Sequence, residues 1–139
     1  MAAPNLHRLL YVSSAVMRMS SAELEELLEE ARAANAVNDV TGVLLYADGN
    51  IMQMLEGPRD NVQETFERIS RSRRHKGVIV LLDSAVPERV FSTWSMAYSQ
   101  ATWAQLAEVQ EACRRSGDAA IKVIQGFVTH TTRTFTSRG

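Results

Sequence analysis

One cysteine in 139 residues leaves no disulfide to be made within the chain and no metal site built from several thiolates. No apolar run comes near the ~20 residues that a membrane span needs, and the opening MAAPNLHRLL lacks the long apolar region that follows a basic start in a secretion signal. A cytoplasmic protein with no membrane partner is expected. Charge is nearly balanced, 15 Lys and Arg against 16 Asp and Glu for a net −1, so no basic surface is available to hold nucleic acid. His7, His75 and His130 are too scattered to ligate one ion. A glycine-rich phosphate loop and a nucleophile elbow are also missing, and the acidic residues fall mainly on the outer faces of the expected helices. Glu56 differs by its position at the end of an expected strand, yet a lone carboxylate there is more often a cap or ion-pair partner than an acid–base catalyst. No enzymatic activity is expected.

Hydrophobic content of 45% with 22% charged residues suits a single globular domain, large enough for a core without staples. Its most informative stretch is 35–57. Two apolar runs, 40–46 and 51–55, flank Asp48-Gly49, a dipeptide whose tolerance of positive φ suits the type I′ turn of a β-hairpin. Strand side chains alternate faces, so Gln53 shares its face with Ile51 and Leu55 while Met52 and Met54 point the other way. A primary amide is thereby placed where a hydrophobe would normally sit. Left without partners there, it would cost about 1 to 3 kcal/mol per unsatisfied group, so something polar must meet it.

Residues 6–13 read as a first strand, with Leu9, Tyr11 and Ser13 on one face. Ser20 and Glu23 form a capping box that opens a helix with Leu24, Leu27, Leu28 and Ala31 at helical spacing. Ala34 and Asn35 come next in that stripe; Asn35 is either a polar residue at a helix exit or an amide aimed at whatever the stripe packs on. After the hairpin, Gly57-Pro58 starts a second helix with Pro58 in its first turn and an inner stripe of Val62, Thr65, Phe66 and Ile69. Two more strands follow at 78–82 and 90–98, the latter with Trp94, Met96 and Tyr98 on one face. Thr102 and Gln105 open a third helix carrying Trp103, Leu106, Ala107 and Cys113 inward. Gly117-Asp118 then leads into a short last helix with Ile121, Ile124 and Val128, and a Thr-rich tail follows His130. This order, β-α-β-β-α-β-β and two helices, predicts an α+β, ferredoxin-like sheet: the two crossover helices on one face, the two C-terminal helices on the other face or against a second subunit.

Tyr11, Gln53, Trp94 and Met96 on sheet faces, with Asn35 from the first helix, are each ordinary core residues when taken singly. Together they describe a pocket with a phenol, amides and polarizable walls, suited to a flat heterocycle with carbonyl and imide edges. The segments LHRLLYVSSA, ARAANAVNDVTGVLLYADGNIMQMLEGPRDNV, RRHKGV and RVFSTWSMAY, in order and spacing, resemble the BLUF family, sensors of blue light using FAD. The combination TG-x-L-L-Y, Q-x-LEG, RH and F-x-x-W-S-M is far more distinctive than any one piece. The resemblance covers roughly 5–98, and the remainder is similar to the two-helix extension of short, stand-alone members.

The resemblance implies a blue-light photoreceptor that binds FAD, with FMN or riboflavin as alternatives. Tyr11 matches the redox-active tyrosine, Gln53 the glutamine bridging it to the flavin, and Asn35 the asparagine on the flavin's C4 carbonyl and N3–H edge. Trp94 and Met96 match the last-strand pair that shapes the signal; Arg32, Arg74 and His75 match positions around the ring or the ribityl-phosphate chain. It further implies a photosensory domain over 1–100, a helical output or oligomerisation extension over 101–130 and a flexible tail over 131–139. Signalling is then to a downstream protein partner or through a homo-oligomer. Ala31, Ala34, Ile51 and Ser72 depart from the family pattern, where Ser, a second polar residue, Phe and Asp are common. Flavin affinity, band position and dark recovery are therefore expected to differ from family norms. Three other readings compete: a flavin–Cys adduct at Cys113, which lies outside the expected pocket; a ferredoxin-like module binding a small ligand or partner without photochemistry; and RNA binding on an open sheet.

Overall fold

The computed structural model describes residues 5–91 and 97–136, with side chains for 5–74, 76–91 and 97–127. The elements are β1 (Leu6–Ala15), α1 (Ser21–Val37), β2 (Thr41–Ala47), β3 (Asn50–Pro58), α2 (Arg59–Ser70), β4 (His75–Ala85), β5 (Ala97–Gln100), α3 (Trp103–Arg115) and α4 (Gly117–Thr136). They build a five-stranded sheet in the order β4-β1-β3-β2-β5. β1 runs antiparallel to β3 and β4, β2 antiparallel to β3, and β5 parallel to β2.

The β2–β3 hairpin forms where Asp48-Gly49 places it. Both residues sit at positive φ, 48° and 95°, the pair of left-handed conformations that matches a two-residue turn to the twist of its strands. Gly42 fixes how closely those strands pack, because a Cβ there would run into the Met54 carbonyl oxygen. Backbone cannot swing aside as a flexible side chain can, so Gly42→Ala is expected to cost about 1 to 3 kcal/mol, measurable as an earlier midpoint in urea with an unchanged slope.

Each sheet face carries its own core. Leu9, Tyr11, Leu44, Ile51 and Leu55 meet Leu24 and Leu28 of α1 and Val62 of α2. On the opposite face Leu10, Val43, Leu45, Met52 and Met54 meet Leu106, Val109 and Ala112 of α3 and Ala120, Ile121 and Ile124 of α4. The expected ferredoxin-like layering is what forms, with helices against both faces of the central strands, while Ile79 and Val80 of the edge strand β4 stay 60% and 42% exposed. Among the described residues no helix is long and apolar enough to cross a membrane, and no group of three His, Cys, Asp or Glu is placed to hold a metal.

Both expected capping boxes are present, Ser20 with Glu23 and Thr102 with Gln105. Other boundaries differ from expectation. Pro58 ends β3 and caps α2, which starts at Arg59; with ψ at 138° its own backbone is still extended. Ser116 is the C-cap of α3, and its hydroxyl accepts from the Ala119 amide in the first turn of α4, so one serine joins the helices where Gly117-Asp118 was expected to. α4 is 20 residues long rather than short, running through the first part of the expected tail to Thr136. In α3 the inward residues are Leu106, Val109 and Ala112, whereas Trp103 is 61% exposed and Ala107 is exposed too. Trp103 is the first helical residue, with no preceding turn to hold it against the sheet. Of the strand expected over 90–98, the described part is Ala97–Gln100; Trp94 and Met96 lie outside the described residues.

Candidate functional site

A cavity of about 230 Å³ opens between α1, α2 and the sheet. Tyr11, Leu44, Ile51 and Gln53 line it from the strands, Leu27, Leu28, Ala31, Ala34 and Asn35 from α1, and Ile69 from α2; Glu30, Arg68, Ser72 and Arg74 contribute the remaining polar wall. Strand register assembles the polar floor. Tyr11 of β1 lies directly opposite Gln53 of β3, which in turn lies opposite Leu44 of β2. The Tyr11 hydroxyl donates to Gln53 Oε1, and the carboxamide has two further donors on Nε2. Tyr11 is 1% exposed, Gln53 6% and Asn35 1%. The stripe of α1 therefore does carry Asn35 inward, to the same cavity as the phenol–amide pair.

Burial pushes the Tyr11 phenol far above its ordinary pKa, because a phenolate there would lose its hydration. The ring packs at 5.6 Å from that of Phe66, tilted by 58°. At neutral pH the site thus holds a neutral hydroxyl. Below pH 10.0, the unperturbed value, Tyr11 stays protonated whether the chain is folded or unfolded. Above it the unfolded chain binds fewer protons than the folded one, so stability falls as pH rises. Alkaline unfolding is expected to become progressively easier above about pH 10 in the parent and less so in Tyr11→Phe, as followed by circular dichroism.

The two helical walls are tied together by residues that helical periodicity does not single out. Asn38 Nδ2 donates to the Asn61 carbonyl at 3.1 Å and to Thr65 Oγ1 at 3.0 Å, and Asn61 Nδ2 donates back to the Asn38 carbonyl at 2.8 Å. Arg74, at the mouth, pairs with Glu30 at 2.9 Å and Glu26 at 3.6 Å. It also lines an adjoining groove of about 350 Å³ with Val16, Met17, Met19, Glu23, Glu26 and Arg73. Arg32 is half-buried but does not line the cavity, and the His75 side chain lies outside the described set. Cys113 belongs to the α3–α4 core on the other side of the sheet, and burial raises its thiol pKa. Both facts disfavour adduct chemistry at the cavity.

A family model described as BLUF, sensors of blue-light using FAD, matches residues 6–97. The chain belongs to the BLUF family. It is 36% identical over 92 residues to photoactivated adenylate cyclase subunit beta of Euglena gracilis, a match covering 66% of this chain and 11% of the relative. With the blue light- and temperature-regulated antirepressor BluF of Escherichia coli (strain K12) it shares 34% identity over 74 residues, 53% of this chain and 18% of the relative. The dark-state structure of BlrB, a BLUF protein, is similar at a TM-score of 0.73 and 25% identity, covering 91% of this chain and 97% of that one. The chain thus spans only a small part of those curated relatives and nearly all of the BlrB chain.

Ala31, Ala34, Ile51 and Ser72, the four positions noted in the sequence for their departure from the expected residue types, all line the cavity. The donor set fits a flavin: an apolar slot with a buried phenol–amide pair and a buried Asn35 suits the hydrogen-bonding edge of a planar ring. The ionisable groups Glu30, Arg68 and Arg74 sit with Ser72 in the polar part of the wall. Arg68 and Glu30 escaped sequence reasoning because each reads as part of a solvated helix face.

Proposed function

We propose that this chain is a blue-light sensor in which Tyr11, Gln53 and Asn35 hold the ring of a flavin, FAD by family description and FMN or riboflavin otherwise. The observation that carries this is the hydrogen bond between the buried side chains of Tyr11 and Gln53 on the floor of a cavity between the crossover helices. When bound, the flavin supplies absorption of blue light and, once excited, a strong oxidant. Tyr11 would give up an electron to the bound flavin and its phenolic proton along the Gln53 amide, and would regain both when the charges recombine. Gln53 is left rotated or tautomerised, with its donors and acceptor exchanged, and the altered hydrogen bond to the ring reddens the absorption. Asn35 anchors the ring edge from α1, and Arg74, with His75 next to it in sequence and Arg32 on α1, favours the anionic tail on the groove side.

Rearranged hydrogen bonds in a low-dielectric site can change the balance between two packings by a few kcal/mol. Trp94 and Met96, by family match, shape that change ahead of β5, and α3 and α4 form the output extension. The sensor's message passes to a partner protein or to self-association, as the cyclase and antirepressor names of its relatives suggest. Absorption spectra before and after blue light, with chromatography of the released flavin, test this. The expected result is a yellow protein whose flavin band moves to the red and relaxes in the dark; a colourless protein that takes up no added flavin would leave only a non-photochemical ligand-binding module.

A further inference from the structure

On the sheet face opposite the cavity, the same two strands carry a second, charged pair. Arg8 lies opposite Glu56 as Tyr11 lies opposite Gln53, three residues away on each strand, and an odd step along a strand reverses the face. Glu56 is 0% exposed. Its carboxylate accepts from Arg8 Nε at 2.8 Å, from the Val90 amide at 2.9 Å and from the Phe91 amide at 2.9 Å. Arg89, the residue before Val90, donates to the Asp39 side chain at 3.0 Å and to Thr41 Oγ1 at 3.2 Å. A buried charge is costly unless fully paired, and here the pairing converges on the backbone just ahead of β5.

We propose that Glu56 is a positioning residue that couples the Gln53 strand to the segment at Val90 and Phe91, and through it to β5 and the C-terminal helices. The proposal rests on the light-sensing function above. A change at Gln53 that moves β3 against β1 alters the distance from the Glu56 carboxylate to two amides it holds on the far face. The carboxylate thereby carries a side-chain event across the sheet without touching the cavity.

The full flavin-loaded chain, labelled with ¹⁵N, is compared in the dark and under steady blue light by amide shifts and hydrogen exchange. The Val90 and Phe91 amides should shift and exchange faster in the light, together with amides of α3. In Glu56→Gln, which offers these amides one acceptor oxygen in place of two, the flavin red shift should persist. The light-induced change in α3 should fall at least about fivefold. A merely structural role for Glu56 would lower stability and leave that light-minus-dark difference intact. A parent protein that reddens with no change at Val90 and Phe91 overturns the proposal, as does a variant with full α3 response; should the variant fail to fold, the parent measurement decides. A parent that does not redden overturns the light-sensing function first, and the coupling with it.

Discussion

Tyr11→Phe is expected to bind flavin and to show no red shift under blue light. The ring remains, packed against Phe66, so the cavity keeps its shape and its apolar floor. What is lost is the one hydroxyl that donates to Gln53, and with it the proton that must travel with the electron. Because Tyr11 is buried, at 1% exposure, solvent does not take the place of its hydroxyl, and the loss should be complete rather than partial. In stability the change is modest, on the order of 1 kcal/mol for a hydrogen bond whose acceptor stays buried. An unaltered red shift in this variant would remove Tyr11 from the mechanism.

Gln53→Leu is expected to abolish the shift as well. Leucine restores a hydrophobe to the position between Ile51 and Leu55 on that face, which favours packing. It also removes the carbonyl that accepts from the buried Tyr11 hydroxyl, at a cost of about 1 to 3 kcal/mol. The two effects oppose each other, so net stability should change little while function disappears. Urea unfolding of the two single variants and of the Tyr11→Phe, Gln53→Leu double variant separates them. The double variant should be more stable than Gln53→Leu alone, because the hydroxyl that lost this acceptor is removed with it.

Much of this site is legible in sequence because it is built from local rules. Strand alternation alone puts Gln53 on the Tyr11 face, and helical spacing alone carries the α1 stripe to Asn35, one of the two alternatives open for that residue. Asp48-Gly49 specifies its turn through φ, and the two capping boxes mark where α1 and α3 begin. What stayed hidden joins residues far apart in the chain. The Asn38–Asn61–Thr65 tie between helices, and the hold of Glu56 on Val90 and Phe91, depend on tertiary approach that no short pattern encodes. The Glu56 case is instructive: its position suggested a cap or ion-pair partner, and it is both, but its partners could not be named. Trp103 failed for the opposite reason, since spacing extended a stripe to a first residue that tertiary packing does not reach.

Infrared difference spectra of the flavin-loaded chain, light minus dark, with ¹³C at the glutamine side-chain carbonyl, bear most directly on Gln53 as the relay. A carbonyl band pair that moves with the label and vanishes in Gln53→Leu is the expected result. A difference spectrum in which the label moves nothing would mean that the amide stays as it was, and that the light signal starts elsewhere.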